Sequence, residues 1–411
     1  MRALESPEDP ETAAARMSSW LTVLLAIASG VIAANVYYVQ PLAGPISQSL
    51  GLSPQAAGLI VTMTQLGYGA GLLLVVPLGD LFENRRLVLS MISLAALALI
   101  AAAMSTNAAS FLASALLIGV GSVAVQVLVP YAAHLSPDAL RGRAVGNVMS
   151  GLMVGIMLAR PAASFITHAL SWQAVFEISA ALMVGLGIAL RLMLPRRRPA
   201  AGQGYGALLH SMGRLARDTP VLQRRALYHS CLFAAFSLFW TTVPLLLADR
   251  FGLSQNGIAW FALAGVGGAI AAPLAGRAAD RGWSDIATRL AMLAVAVSVL
   301  LGWFGSSGSA ASLITLVVAA IVLDFGVIAH FAVGQRAIFS LGAEIRGRLN
   351  GLYMATFFTA GAFGSALGGW TYAHGGWSLS MGAALTMPMV ALTLALMERS
   401  PPVSAPPRRQ S

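Results

Sequence analysis

Long apolar runs, separated by short polar stretches that carry arginine, repeat along the whole chain. An α-helix rises about 1.5 Å per residue, so about 20 apolar residues are needed to cross the hydrocarbon core of a bilayer. Runs of that length lie near 18–40, 55–78, 86–105, 109–134, 144–166 and 172–194, and again near 226–248, 256–277, 286–304, 310–333, 347–370 and 377–397. The pattern predicts an all-α membrane protein of twelve transmembrane helices. Between the sixth and seventh runs lies the longest polar stretch, Pro195 to Arg225, which opens with Arg196, Arg197 and Arg198. Within it Leu208, Leu209, Met212 and Leu215 share one helical face while His210, Arg214 and Arg217 fall elsewhere, which suits a helix lying on the membrane surface.

The resulting division is an N-terminal tail (1–17), a six-helix bundle (18–194), a central loop (195–225), a second six-helix bundle (226–397) and a C-terminal tail (398–411). The first tail carries Glu5, Glu8, Asp9 and Glu11 and lacks the basic start of a cleaved signal peptide, so the first run is expected to stay as a signal-anchor helix.

Composition agrees with lipid as the main solvent. The chain is 57% hydrophobic and only 10% charged, whereas a soluble surface needs about 25% charged residues. The 42 glycines suit helices that pack closely without a hydrophobic force between them. The net charge of +10 would suggest nucleic acid in a soluble protein, but here its placement matters more than its size. Arg85, Arg86, Arg141, Arg143, the central cluster, Arg277, Arg281, Arg289, Arg336, Arg346 and Arg348 fall on the side of the two termini, as do Arg399, Arg408 and Arg409. Only Arg250 falls on the other side, with Arg160 inside a helix. By the positive-inside rule both termini are cytoplasmic, in a bacterial inner membrane. The basic charge is therefore topology, and no nucleic-acid partner is expected.

The halves repeat one another. Asp80 lies in the loop after the second run, followed by Arg85 and Arg86; Asp280 and Arg281 occupy the matching loop of the second half. Arg141-Gly142-Arg143 and Arg346-Gly347-Arg348 each open the fifth helix of their half, with Gly146 and Gly351, then Met149 and Met354, at equal distances beyond. Duplicated six-helix halves are the architecture in which a central site is exposed alternately to either face of the membrane. No phosphate-binding Gly-Lys-Ser loop, His-Glu-x-x-His zinc motif or Gly-x-Ser-x-Gly elbow is present, which argues against an enzyme. Cys231 is the only cysteine, so there is no disulfide framework and no thiolate metal site. No soluble signalling domain is present to serve a sensor.

On these loops and repeats the sequence resembles the major facilitator superfamily, over roughly Ser18 to Met397, and within it the drug:proton antiporter and sugar-efflux branch. The most specific element is the loop from Gly79-Asp80 to Arg85-Arg86, echoed at Asp280-Arg281. Three positions depart from that branch. Asn84 stands where its loop has glycine, and Ala115 where its antiporters often carry a fourth-helix arginine. Arg160 replaces glycine in the fifth-helix signature that runs from Gly151 to Pro161. The resemblance implies a secondary transporter working by alternating access, a monomer with no cofactor, carrying a drug, sugar or metabolite. It points to proton-coupled efflux, with uptake as the alternative.

Within that frame several side chains could carry chemistry. Asp80, Arg85, Arg86, Arg141, Arg143, Asp280, Arg281, Arg346 and Arg348 lie at the cytoplasmic helix ends, as a gate or as topology signals. In the gate reading Asp80 meets the positive end of the eleventh helix near Arg346 and Arg348. Asp324 falls mid-way along the tenth helix, where a charge costs a few kcal/mol or more. Proton coupling is its expected role, with His330 as a relay partner and Arg336 as a relay or neutralising group; a structural ion pair is the alternative. Arg160 and Glu177 flank the turn between the fifth and sixth helices at similar depth and could pair. An unpaired Arg160 would instead attract an anionic substrate. Asn35, Tyr37, Tyr38, Gln40, Gln65, Tyr68, Gln126, Tyr131, His134, Trp240, Thr241 and Thr242 supply polar or aromatic groups on helices that would line a cavity. Asn35, Tyr38, Gln65, Gln126, Tyr131 and Trp240 are the leading substrate contacts, on otherwise apolar walls suited to an amphipathic solute.

Overall fold

The computed structural model describes residues 19–137, 140–197, 199 and 204–398. Arg198, Arg399, Arg408, Arg409 and all of the two expected tails except Glu398 lie outside the described residues. All regular structure among the described residues is helical. The first span is a bent pair, Ser19–Ala34 and Val39–Leu50, inclined at 41°. The next five are Pro54–Asp80, Asn84–Ala103, Ala108–His134, Arg141–Ala169 and Trp172–Met193. After the surface helix Tyr205–Asp218 come Pro220–Phe251, Gln255–Asp280, Ser284–Phe304, Ala310–Phe339 and Arg346–Met397.

The last of these is two spans. Gly376 breaks it with φ 59° and ψ −155°, and Thr371 Oγ1 lies 3.1 Å from Ser380 Oγ across the break. In a straight helix those two residues would be about 13.5 Å apart, so the chain turns back on itself there. The eleventh and twelfth spans meet at this glycine, giving twelve spans among the described residues.

Local chemistry sets the ends. Asn107, Ser171 and Ser309 cap the fourth, sixth and tenth spans, accepting hydrogen bonds from the amides of Ser110, Ala174 and Ser312. Gly51 closes the first span in the left-handed region, φ 65°. The bend in that span follows from Pro41, which has no amide to offer the Tyr37 carbonyl one turn earlier. The first span therefore runs ten residues past its expected end at 40. The seventh begins at Pro220, earlier than the expected 226.

Small residues set the crossings. A Cβ added to Gly155 would sit 2.2 Å from the Gly30 carbonyl oxygen, and one on Gly151 would sit 2.3 Å from that of Ala26. The first and fifth spans thus touch backbone to backbone. The seventh and eleventh spans repeat the crossing, Gly364 meeting the Ala234 carbonyl at 2.2 Å by the same construction. The halves join along the second and eleventh spans, where Gly58 meets the Ser365 carbonyl and Thr62 Oγ1 donates to the Ala362 carbonyl at 3.0 Å. The surface helix buries Leu208, Ser211 and Met212 and leaves His210, Arg214 and Arg217 exposed, as its amphipathic pattern requires.

Gly155→Ala is expected to cost about 1–3 kcal/mol through overpacking of that crossing. Gly185→Ala, where an added Cβ meets nothing within 4 Å, should leave stability unchanged or slightly raised. Thermal unfolding of the two purified variants in detergent measures the difference.

Candidate transport site

A cavity of about 680 Å³ lies between the halves. Its mouth is at the arginine-rich end, bordered by Asp80, His134, Arg197, Glu344, Arg346 and Arg348. The walls are largely apolar, with Phe233, Phe236, Phe331, Phe357 and Phe358 all contributed by the second half. The first half contributes Tyr37, Tyr68, Gln126 and Tyr131. Beyond the inner end the halves close on one another: Phe165 meets Trp260 edge-on at 5.5 Å, and Gly44 lies against Leu245.

Arg160 and Asp324 form the inner end. Each is only 3% exposed, and Arg160 Nη1 is 3.7 Å from Asp324 Oδ2. The carboxylate's other oxygen accepts from the Trp240 indole N–H at 2.8 Å. Arg160 Nε donates to Gln40 Oε1 at 2.6 Å. The guanidinium lies over the Trp240 ring at 4.2 Å, with Phe236 at 5.1 Å and Tyr37 at 5.4 Å, a favourable electrostatic seat for a cation out of water. The cluster draws on the first and fifth spans of one half and on the seventh and tenth of the other.

The eighth span makes room for it. A Cβ at Gly265 would sit 2.6 Å from Asp324 Oδ2, and one at Gly268 would sit 2.9 Å from Asp324 Cβ. The first half builds the corresponding crossing without a carboxylate. Gly119 precedes Arg141 by 22 residues, as Asp324 precedes Arg346. Gln65 and Tyr68 hold the places of Gly265 and Gly268 relative to Asp80 and Asp280. Gly119 is pressed against the Thr64 carbonyl. In the second half the fourth-span glycine is replaced by the carboxylate, and Gly265 and Gly268 give it its space.

The family profile described as Major Facilitator Superfamily matches residues 25–311 and 225–411. The chain belongs to the major facilitator superfamily. It is 39% identical over 377 residues to the uncharacterized transporter YgaY of Escherichia coli O157:H7, covering 92% of this chain and 95% of that one. A probable transporter of Streptomyces coelicolor is 34% identical over 373 residues, covering 90% and 84%. The crystal structure of the nucleoside transporter NupG superposes with a TM-score of 0.74 at 13% identity, covering 91% of this chain and 98% of that one. That likeness is one of fold. The relatives make this chain a membrane transporter.

The geometry of this transporter corrects several expectations. Arg160 does not pair with Glu177, which is exposed on the sixth span; its partner comes from the other half. His330 is not a partner of Asp324 either. It stacks on His229 with parallel rings, Nδ1 to Nδ1 3.2 Å, and His229 in turn packs against Phe331, Tyr353 and Phe357. Arg336 pairs with Asp280 at 2.5 Å instead of reaching Asp324. His229 was not legible as a site residue, because nothing in its local sequence marks it; only the packing of the seventh on the tenth span brings it to His330.

Of the six leading substrate contacts, Gln126 and Tyr131 line the cavity. Gln126 Nε2 donates to the Tyr68 hydroxyl at 3.0 Å, and the Tyr131 hydroxyl donates to the Pro195 carbonyl. The other four are not among its lining residues. Asn35 is engaged with Ser179 and Met183 of the sixth span. Gln65 donates to Ser237 Oγ at 3.0 Å and accepts from Ser365 at 3.3 Å, tying the halves together. Trp240 is occupied by the ion pair. Tyr38 lies one residue beyond Tyr37, which takes the cavity position.

At the arginine-rich end Asp80 is exposed and stands across the open mouth from Arg346 and Arg348. Arg346 Nε donates to the Phe339 carbonyl at 2.9 Å, as Arg141 Nε does to that of Ala133 at 3.2 Å. Both Arg-Gly-Arg triplets thus cap the helix before them. Arg348 reaches Ser211 Oγ of the surface helix at 2.9 Å. Arg85 donates to the Leu194 carbonyl, Arg86 pairs with Glu83 at 3.0 Å, and Arg281 lies over Trp283. Arg143 is exposed. Asn84 donates to the Gly79 carbonyl at 2.8 Å and accepts from Arg197 at 3.0 Å, so the residue that departs from the branch organises the loop.

Removing one member of the buried pair leaves the other uncompensated. Arg160→Gln and Asp324→Asn are each expected to cost about 3 kcal/mol or more, and the double variant less than their sum. A double-mutant cycle on thermal unfolding in detergent reads this coupling; additive losses would contradict it.

Proposed function

We propose that the protein is a proton-coupled secondary transporter that moves a small amphipathic solute across the bacterial inner membrane by alternating access. The observation that carries this reading is the Arg160–Asp324 pair, buried at the inner end of the cavity and built from both halves. A carboxylate there can take up a proton when its pairing with the arginine is disturbed, and the packing of the halves on that pair gives the proton a structural consequence. The arginine distribution supports a cytoplasmic mouth, and with it the reading of this arrangement as inward-facing.

Cavity size and lining support a solute with an apolar body and a few polar groups. Export of a drug, sugar or metabolite is the direction implied by the branch resemblance, and it requires solute and proton to exclude one another. One observation favours uptake. With both members ionised the pair is neutral, and protonating Asp324 leaves a single positive charge on Arg160. The pair in neither state offers a free negative charge for which a cation could compete with the proton. A solute that enters together with the proton fits this charge balance better.

The test uses proteoliposomes and a solute identified by a growth screen of expressing cells on toxic compounds and sugars. An imposed pH gradient should drive net flux in the wild type. Asp324→Asn should lose the pH-driven component while keeping solute exchange at zero gradient. Undiminished pH-driven flux in that variant would overturn the coupling role. The side on which acid accelerates accumulation decides the direction.

A further inference from the structure

Arg160 is held but not used up. Of its five N–H donors, only the one on Nε has a hydrogen-bond acceptor at short range among the described residues, Gln40 Oε1. Nη1 faces Asp324 at 3.7 Å, beyond hydrogen-bond distance, and Nη2 is buried with no acceptor. The amide Nε2 of Gln40, the residue bonded to it, is likewise buried without an acceptor. An unsatisfied buried donor costs about 1–3 kcal/mol, more when charged, so this pair of side chains is short of acceptor oxygens.

The surrounding groups define what would supply them. Asp324 and Arg160 both line the cavity, and so do the aromatic rings of Phe233, Phe236, Phe357 and Phe358 nearby. The charged or titratable neighbours facing Asp324 are Arg160 from the fifth span and, behind it, Tyr37 from the first. The seventh span presents Trp240, and the eighth presents Gly265 and Gly268. On its own span His330 is occupied by His229. Among the described residues no second carboxylate is present in this group to receive a cation, and a planar guanidinium with free N–H donors matches a carboxylate.

We propose that Arg160, held at Nε by Gln40, binds the carboxylate of a small organic acid whose apolar body lies against the phenylalanine wall, and that this carboxylate replaces Asp324 as the counter-ion of Arg160. Displaced from its partner in a buried setting, Asp324 takes up a proton, so acid anion and proton occupy the site together and the cluster keeps its charge. This deepens the transport reading above and rests on it. It names the substrate class as monocarboxylates and makes the coupling a co-binding event.

The test is binding of phenylacetate to the purified full-length protein by calorimetry near neutral pH. Phenylacetamide and phenethylamine serve as neutral and cationic analogues of the same shape. Phenylacetate is expected to bind roughly tenfold or more tighter than either. About one proton should be taken up per anion bound, read with a pH indicator in weak buffer. Asp324→Asn should bind phenylacetate without proton uptake, and the anion should raise its melting temperature more than that of the wild type. Arg160→Gln should lose the preference for the acid over the amide. Should that variant not fold, the Arg160→Gln/Asp324→Asn pair, which carries no buried charge there, serves the same purpose. Phenylacetate binding that is absent, no tighter than the amide, or unchanged in the arginine variants overturns the substrate class while leaving pH-driven transport to be judged by Asp324→Asn. Arginine-dependent binding without proton uptake overturns the co-binding and the coupling role, and leaves the substrate class standing.

Discussion

A guanidinium and a carboxylate can stay buried among apolar helices only while each neutralises the other or something else does so. In this protein that constraint joins Arg160 to Asp324 across the boundary between the two halves. Breaking it inside a low-dielectric setting costs several kcal/mol. Much of the surrounding architecture is explained by the need to keep the pair. The bend after Ala34 brings Tyr37 and Gln40 to the guanidinium, the Trp240 indole serves both partners, and Gly265 and Gly268 vacate the volume that the carboxylate fills.

The same constraint gives the internal duplication a functional meaning. Close helix crossings are repeated in the two halves, with glycine against the partner backbone in both the first-on-fifth and the seventh-on-eleventh contacts. At one crossing the repeat is broken: Gly119 in the first half corresponds to Asp324 in the second. A symmetric scaffold supplies the alternating geometry, and the asymmetric substitution supplies a charge. The aromatic wall is asymmetric too, since the phenylalanines come from the second half while the first contributes hydroxyl and amide groups.

Hydropathy and arginine spacing made the twelve spans, the two bundles and the surface helix legible, because those depend on composition along one helix at a time. The break at Gly376 and the run past Pro41 were less so, since apolar periodicity does not report a turn or a bend. Within the site, Asp324 stood out because a lone charge in an apolar run needs a reason. Its partner did not, because depth within a hairpin suggested Glu177 for Arg160, and only inter-half packing brings Asp324 there instead. Asn35 and Gln65 looked like substrate contacts for the same reason: a polar residue in a span is equally suited to tying helices together, and the choice is made by neighbours from distant sequence. His229 carried no signal at all until its stacking on His330 was seen.

Transport by this protein turns on Asp324 changing its protonation state while Arg160 answers for its charge. Infrared difference spectroscopy of the reconstituted protein across a pH titration observes this directly, through the carbonyl stretch of a protonated carboxylic acid. Such a band is expected in the wild type, with its disappearance in Asp324→Asn and a shifted titration in Arg160→Gln. A wild-type band that persists unchanged in Asp324→Asn, or no protonated carboxyl at any pH at which transport runs, would contradict this role of Asp324.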